Sequence, residues 1–253
     1  MPAQQRVGLH DEQRAAPPAD EARQEDEAEA VGGGEHGPLD LAVEDHEKAL
    51  AGLSRINFFS ATAGGYLRGL RDLPTPLRVL DIACGGGDVV RRLARYAARH
   101  GLAWHIAGCD LSPVAVEHAR RCASAENVAV EYFAHDALES PPPGEYDAIV
   151  CSLFLHHLEV PQAVRLLELM AKTRGVRAIF VSDLSRSLLG LTLAHAACRL
   201  LSTSSVVHID GPLSVRAAFT PAEAAALAAK AGLRGATVRR CWPCRWMMTW
   251  RSA

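Results

Sequence analysis

The feature that most constrains this chain is an alternation. Five short apolar runs follow one another: Arg78–Ile82, Trp104–Cys109, Val128–Phe133, Tyr146–Cys151 and Val176–Ser182. Between them lie stretches with helical character, from Asp88 to about Arg99, from Pro113 to about Cys122, and over Pro161–Ala171. Short apolar runs separated by helices predict strands of a mainly parallel sheet, covered by helices on both faces. Such sheets bind ligands beyond the carboxyl ends of their strands, at the switch point. Chemistry is therefore expected just after Ile82, Cys109, Phe133, Cys151 and Ser182.

The rest of the chain extends this pattern. Thr220 caps a helix with Pro221 in its first position and Glu223 three residues after the cap. Two last strands are expected near Gly235–Arg240 and Arg245–Trp250. The fold class is thus α/β, with a doubly wound, mainly parallel, seven-stranded sheet. Residues 1–37 are rich in Ala, Glu, Gln, Pro and Gly, and read as a disordered tail. Residues 38–74 read as a helical cap, with Leu41, Leu50, Leu53, Ile56, Phe59 and Leu67 near helical spacing. The main domain is expected over 75–253, with a helical insertion at about 184–218. That insertion contains the apolar stretch Leu188–Leu201 and is either a lid over an acceptor or core packed on the sheet.

Charge and cysteine usage exclude some classes. Residues 1–37 hold nine acidic and three basic residues, and the remainder 24 basic and 20 acidic. The remainder's mild surplus of +4 gives no argument for a nucleic-acid partner. Seven cysteines, an odd number, read as free thiols of a reduced, cytoplasmic chain. Leu188–Leu201, the longest apolar stretch, is too short to span a membrane and contains His195 and Arg199. No secretory signal is visible. Cys241-Trp242-Pro243-Cys244 has no second pair at metal spacing, and on a strand its thiols would face opposite ways. Trp242 and Trp246 suggest packing there instead, and no metal site is expected.

Each strand end carries informative residues. After the first comes Asp81-Ile82-Ala83-Cys84-Gly85-Gly86-Gly87-Asp88. Glycines allow a tight turn and close approach of a ligand, and the next helix N-terminus offers N–H groups to an anion. Asp110 ends the second strand, where a carboxylate can accept ribose hydroxyls or, alternatively, cap the helix at Pro113. Asp136, after the third strand, can accept from an adenine amine or simply start a turn. His156 and His157 follow the fourth, as a base, a metal pair or a polar rim.

These segments resemble S-adenosylmethionine-dependent methyltransferases of class I. VLDIACGGGDVVRRLAR resembles their first motif and GCDLSPVAVEHAR their second-strand signature. HDAL and YDAIVCSLFLHHL match the third and fourth, and AFTPAEAAALAAKAGL resembles a helix that many small-molecule members carry. The resemblance spans about residues 75–250 and implies a Rossmann-like methyltransferase fold using S-adenosylmethionine. Asp81, Gly85 and Gly87 would line the methionine part, with Ala83 also at the cofactor. Asp110 would hold the ribose, Leu111 would lie against adenine, and Asp136 and Ala137 would contact it. Ser152 and Leu153 would close the pocket near the sulfonium. Cys84 departs from many members but stays small.

The resemblance is closest to enzymes of quinone, phenol and polyketide tailoring. It implies a small aromatic or lipophilic acceptor, methylated on oxygen or carbon in secondary metabolism, and leaves a homodimer open. His156 or His157 would suit the role of general base for a phenol. His195, His208 and Arg216 are further candidate acceptor contacts. Two rivals stand beside this reading. An NAD(P)-dependent oxidoreductase is disfavoured because Val90 breaks GxGxxG and no Tyr-xxx-Lys pair is recognisable. A non-catalytic relative is disfavoured by intact Gly85, Gly87 and Asp110.

Overall fold

The structure, a computed structural model, describes residues 62–201 and 205–252. The expected tail at 1–37 and most of the expected cap at 38–74 lie outside them. Of that cap, Thr62–Leu70 is a helix, α1. The chain then runs β1 (Leu77–Ile82), α2 (Asp88–Arg99), β2 (Trp104–Asp110), α3 (Pro113–Ala125), β3 (Glu131–Ala134) and β4 (Ala148–Ser152). A 3-10 turn, Leu155–His157, precedes α4 (Val160–Lys172) and β5 (Ala178–Leu184). Next come α5 (Leu188–Leu201), α6 (Ser205–Ala217), α7 (Pro221–Lys230), β6 (Thr237–Cys241) and β7 (Arg245–Arg251).

The seven strands form one sheet in the order β3-β2-β1-β4-β5-β7-β6. β1 to β5 pair in parallel, while β7 runs antiparallel to both β5 and β6. The order reverses between β1 and β4, so the switch point lies beyond Ile82 and Cys151. Alternate residues face opposite layers. Leu80, Ile82, Ile149, Cys151 and Ile179 pack with Leu166 and Met170 of α4 and Leu227 of α7. Val79, Val150 and Phe180 pack on the other face, with Tyr66 of α1, Leu93 of α2 and Ala119 of α3. This is the Rossmann-like methyltransferase fold expected.

Helix starts follow local chemistry. Ser112 Oγ accepts from Ala115 N at 3.3 Å ahead of Pro113. Thr220 and Glu223 exchange reciprocal hydrogen bonds at the start of α7, as the spacing predicts. Strand boundaries shift by a few residues. β3 starts at Glu131, not Val128, because Val128 N is engaged with Ala123 O at the end of α3. β4 starts at Ala148, because Asp147 N bonds to Arg78 O ahead of the ladder.

Of the CxxC segment only Cys241 lies on a strand. Cys241 ends β6 and Cys244, at φ +44°, closes the hairpin turn into β7. Strand alternation therefore does not govern its thiols. The two tryptophans also part company. Trp246 is buried and donates from Nε1 to Phe219 O at 3.0 Å, but Trp242 at the tip is 80% exposed and packs on nothing that would hide it. The insertion divides similarly. Ser214, Val215 and Ala218 are buried and α6 packs on the 3-10 turn, whereas Leu188 at the start of α5 is 85% exposed.

α1 approaches the sheet through glycines. A Cβ on Gly69 would collide with the Phe180 ring, and one on Gly65 would lie 2.7 Å from Met247 Cε. Among the described residues, nothing lies within 4 Å of that position at Gly64. Gly69→Ala should therefore destabilise the protein by about 1–3 kcal/mol through overpacking. Gly64→Ala should instead stabilise it by up to about 1 kcal/mol through helix propensity. Thermal melts of the two variants should move in opposite directions.

Candidate active site

The site begins at the turn from β1 into α2. Ala83, Gly85 and Gly87 all have positive φ, at 54°, 51° and 74°. At Gly87 a side chain is excluded outright, since its Cβ would run into the Tyr132 ring. At Gly85 no described residue lies in the Cβ direction, so among them the backbone there is bare to an approaching ligand. Asp110, at the end of β2, ties this turn down. Its Oδ2 accepts from Gly85 N at 2.8 Å and its Oδ1 from Ser112 N at 2.9 Å. Ser112, not Asp110, is thus the cap of α3. Each Asp110 oxygen keeps further lone-pair capacity for a ligand hydroxyl.

Asp81 lies beneath the turn, 1% exposed, and its Oδ1 has no hydrogen-bond partner among the described residues. Burial, and then the neighbouring Asp110, push its carboxyl well above the usual carboxylate range. A buried oxygen with unused capacity beside a bare glycine turn fits the amino-acid end of a ligand that carries a donor. The thiol of Cys109, behind it, is pushed up to about 12, chiefly by burial.

The third strand joins the same edge. His135 N donates to Asp110 O at 3.0 Å, which brings Asp136 and Ala137 up to the end of β2. Asp136 Oδ1 accepts from Leu138 N at 2.8 Å, so this residue does open a turn. Leu111 is 68% exposed, an apolar side chain available to cover a flat ring.

The fourth and fifth strands supply a second cluster. Ser152 ends β4 and Leu153 follows at φ +54°. The buried His156 meets Asp183 twice, its N donating to Oδ2 at 3.1 Å and its Nδ1 lying 2.7 Å from Oδ1. Asp183 Oδ1 also accepts from Leu184 N at 2.6 Å. His157 is exposed, its ring centroid 4.1 Å from that of His156. The two histidines therefore differ, one oriented by a carboxylate and one on the rim. Arg245, buried at the start of β7, lies in the field of Asp183, and burial lowers its pKa. Among the described residues no group of three or more His, Cys, Asp or Glu is placed to hold a metal ion.

Asp81, Ala83, Gly85, Gly87 and Asp110 are thus assembled at one turn, and Asp136 and Ala137 adjoin it. His195 and Arg216 are exposed, and the His208 side chain lies outside the described residues. Sequence reasoning missed Asp183, Tyr66 and Arg245. The rule that chemistry follows Ser182 pointed straight at Asp183, but no motif marked it. Tyr66 and Arg245 carry no local signal.

Residues 79–174 match the family model described as a methyltransferase domain. Over those residues the chain is similar to that family. It is 33% identical over 132 residues to the mitochondrial ubiquinone biosynthesis O-methyltransferase of Schizosaccharomyces pombe, covering 49% of this chain and 45% of that one. It is 31% identical over 169 residues to the ubiquinone biosynthesis O-methyltransferase of Bordetella bronchiseptica, covering 64% of each. The chain thus spans roughly half to two thirds of the length of these relatives. Among solved structures it resembles human N-acetylserotonin methyltransferase in complex with SAM, with a TM-score of 0.60, 16% identity, and 84% and 57% coverage of the two chains. It also resembles magnesium protoporphyrin IX methyltransferase from Synechocystis with bound SAH, at 0.55, 18%, 91% and 95%. These likenesses show the fold. No described helix is long and apolar enough to cross a membrane.

The state of Asp81 makes stability depend on pH. A carboxyl whose folded pKa lies above its unfolded value binds its proton more tightly in the fold. The ligand-free protein should therefore lose stability as pH rises from about 4 through the folded pKa. Asp81→Asn removes that cost. Its melting temperature should exceed that of the parent chain at pH 8, and the gap should close as pH falls to 4.

Proposed function

We propose that this chain transfers a methyl group from S-adenosylmethionine to a hydroxyl oxygen of a small aromatic or lipophilic acceptor. The observation that carries the reading is the Gly85 turn held by Asp110, within residues that match a methyltransferase domain. The curated relatives, named as ubiquinone biosynthesis O-methyltransferases, favour oxygen as the atom methylated and a quinone-like phenol as the acceptor class.

Asp81, Ala83, Gly85 and Gly87 hold the methionine end of the cofactor in this reading. Asp110 accepts from the ribose, and Leu111, Asp136 and Ala137 surround the adenine. Ser152 and Leu153 lie at the reacting end. When bound, the cofactor supplies an electrophilic methyl group on a sulfonium. The chain's part is to align the acceptor, exclude water and take a proton. His156 takes that proton at Nε2, because Asp183 engages Nδ1 and favours a proton there. Asp183 then stabilises the imidazolium. His157 shapes the rim. The insertion, with α6 on the 3-10 turn that carries His156, covers the acceptor as a lid.

Melting curves with S-adenosylhomocysteine test the cofactor. At about 100 times its dissociation constant it should add about 2.7 kcal/mol of stability. Asp110→Ala should abolish the shift, and NADPH should give none. A shift with NADPH alone would overturn the reading. With a catechol acceptor, His156→Ala should lower kcat by about 10²–10⁴. His157→Ala should cost less than about tenfold, as expected of a residue that is not the base. Equal losses at both positions would remove His156 from the role.

A further inference from the structure

The fully buried Tyr66 reaches from α1 to the strand ends. Its hydroxyl lies between the carboxyl ends of β4 and β5 and meets three groups. Cys151 O is 2.7 Å away, Ser152 Oγ 2.9 Å and Ser182 N 3.1 Å. A phenol has one proton to give and two lone pairs to accept with. The Cys151 carbonyl can only accept, so it takes the proton. The Ser182 N–H can only donate, so it uses one lone pair. The remaining lone pair faces Ser152, whose hydroxyl must therefore donate. The proton of Ser152 is committed to Tyr66, and its Oγ has only lone pairs left for anything else. Burial, the largest influence, raises the phenol's pKa well above its usual value, so it stays neutral and this hydrogen-bond direction persists.

We propose that Tyr66 is a positioning residue that fixes Ser152 as a hydrogen-bond acceptor toward the site, selecting a ligand group that donates, such as an ammonium. The inference rests on the cofactor reading above and extends the part of Ser152 in it from the sulfonium to the ammonium, which S-adenosylmethionine carries on the third carbon from its sulfur. A freely rotating serine hydroxyl would serve donors and acceptors alike. One locked by Tyr66 favours an ammonium over a carboxylate at the same point. Ser152 is half-buried at the strand end, and Leu153 after it turns the backbone away at positive φ. α1 thereby acts on the site through one hydroxyl, because Gly65 and Gly69 bring the helix close enough for Tyr66 to reach between the strands.

The test is calorimetric titration of the full chain with S-adenosylhomocysteine, with a thermal melt of each variant. Tyr66→Phe should raise Kd about three- to tenfold, and Ser152→Ala about tenfold or more. The double variant should bind no more weakly than Ser152→Ala, because once the Ser152 hydroxyl is gone Tyr66 has nothing to orient. Ser152→Thr, which keeps the hydroxyl, should bind like the parent. A Tyr66→Phe protein that melts lower but keeps its Kd would reduce Tyr66 to a bridge between strands and overturn the proposal. Losses that multiply in the double variant would overturn the route through Ser152. Should Tyr66→Phe fail to fold, an unchanged Kd in Ser152→Ala still overturns it. Failure of the parent chain to bind S-adenosylhomocysteine would overturn the cofactor reading itself, and that result depends on no variant.

Discussion

Five parallel strands covered on both faces can carry few polar side chains along their length, because a buried polar group without a partner costs free energy. The polar residues of this sheet accordingly gather where strands run out. Asp110, Ser152 and Asp183 all sit at or next to a carboxyl end. The two carboxylates are then held by backbone donors. Asp110 takes Gly85 N and Ser112 N, and Asp183 takes His156 N and Leu184 N. One constraint thus explains both where the site is and why its carboxylates are rigid. Rigidity matters because a group aimed before the ligand arrives loses little entropy on binding.

Strand order decides which ends meet. With β1 and β4 adjacent at the centre, the Gly-rich turn and the Ser152–His156 segment leave the sheet side by side. The flanking strands add one carboxylate each, Asp110 from β2 and Asp183 from β5. The antiparallel hairpin of β6 and β7 closes the far edge and contributes Trp246 to the core beneath α7. α1 covers the opposite face of β5, and Gly65 and Gly69 let it approach within reach of the strand ends.

What was legible in the sequence was local. The apolar runs of β1, β2, β4 and β5 announce themselves because burial on both faces leaves hydrophobic stretches with few polar residues. Thr220 and Glu223 announce a helix start because the capping box is a short-range exchange of hydrogen bonds. Gly85 and Gly87 were readable as a turn because glycines after an apolar strand mark its connection to a helix, and Asp110 because it ends the next apolar run. Contacts made across long stretches of chain were not readable. Tyr66 reaches Ser182 across 116 residues, and nothing near position 66 marks its hydroxyl as the link between two strands. Asp183 and His156 are 27 residues apart and meet only because β4 and β5 pair in register. Trp242 was misread as packing because it and Trp246 look alike until the hairpin puts one at its tip.

Asp81 and Asp110 sit close enough for the charge of one to burden the other, yet they are provisioned differently. Both oxygens of Asp110 accept from backbone N–H groups, while Asp81 Oδ1 has no partner among the described residues. In the ligand-free chain the burden falls on Asp81, whose carboxyl holds its proton well beyond the usual range. A ligand that brings a positive charge or a strong donor to this turn relieves that burden and favours the carboxylate. Binding and proton release at Asp81 are then linked, and affinity for a cationic ligand rises as the pH approaches the folded pKa from below. A neutral ligand of the same shape gains nothing from that linkage. In the function proposed above, the buried carboxyl that weakens the empty fold would favour a charged amino-acid end over an uncharged one.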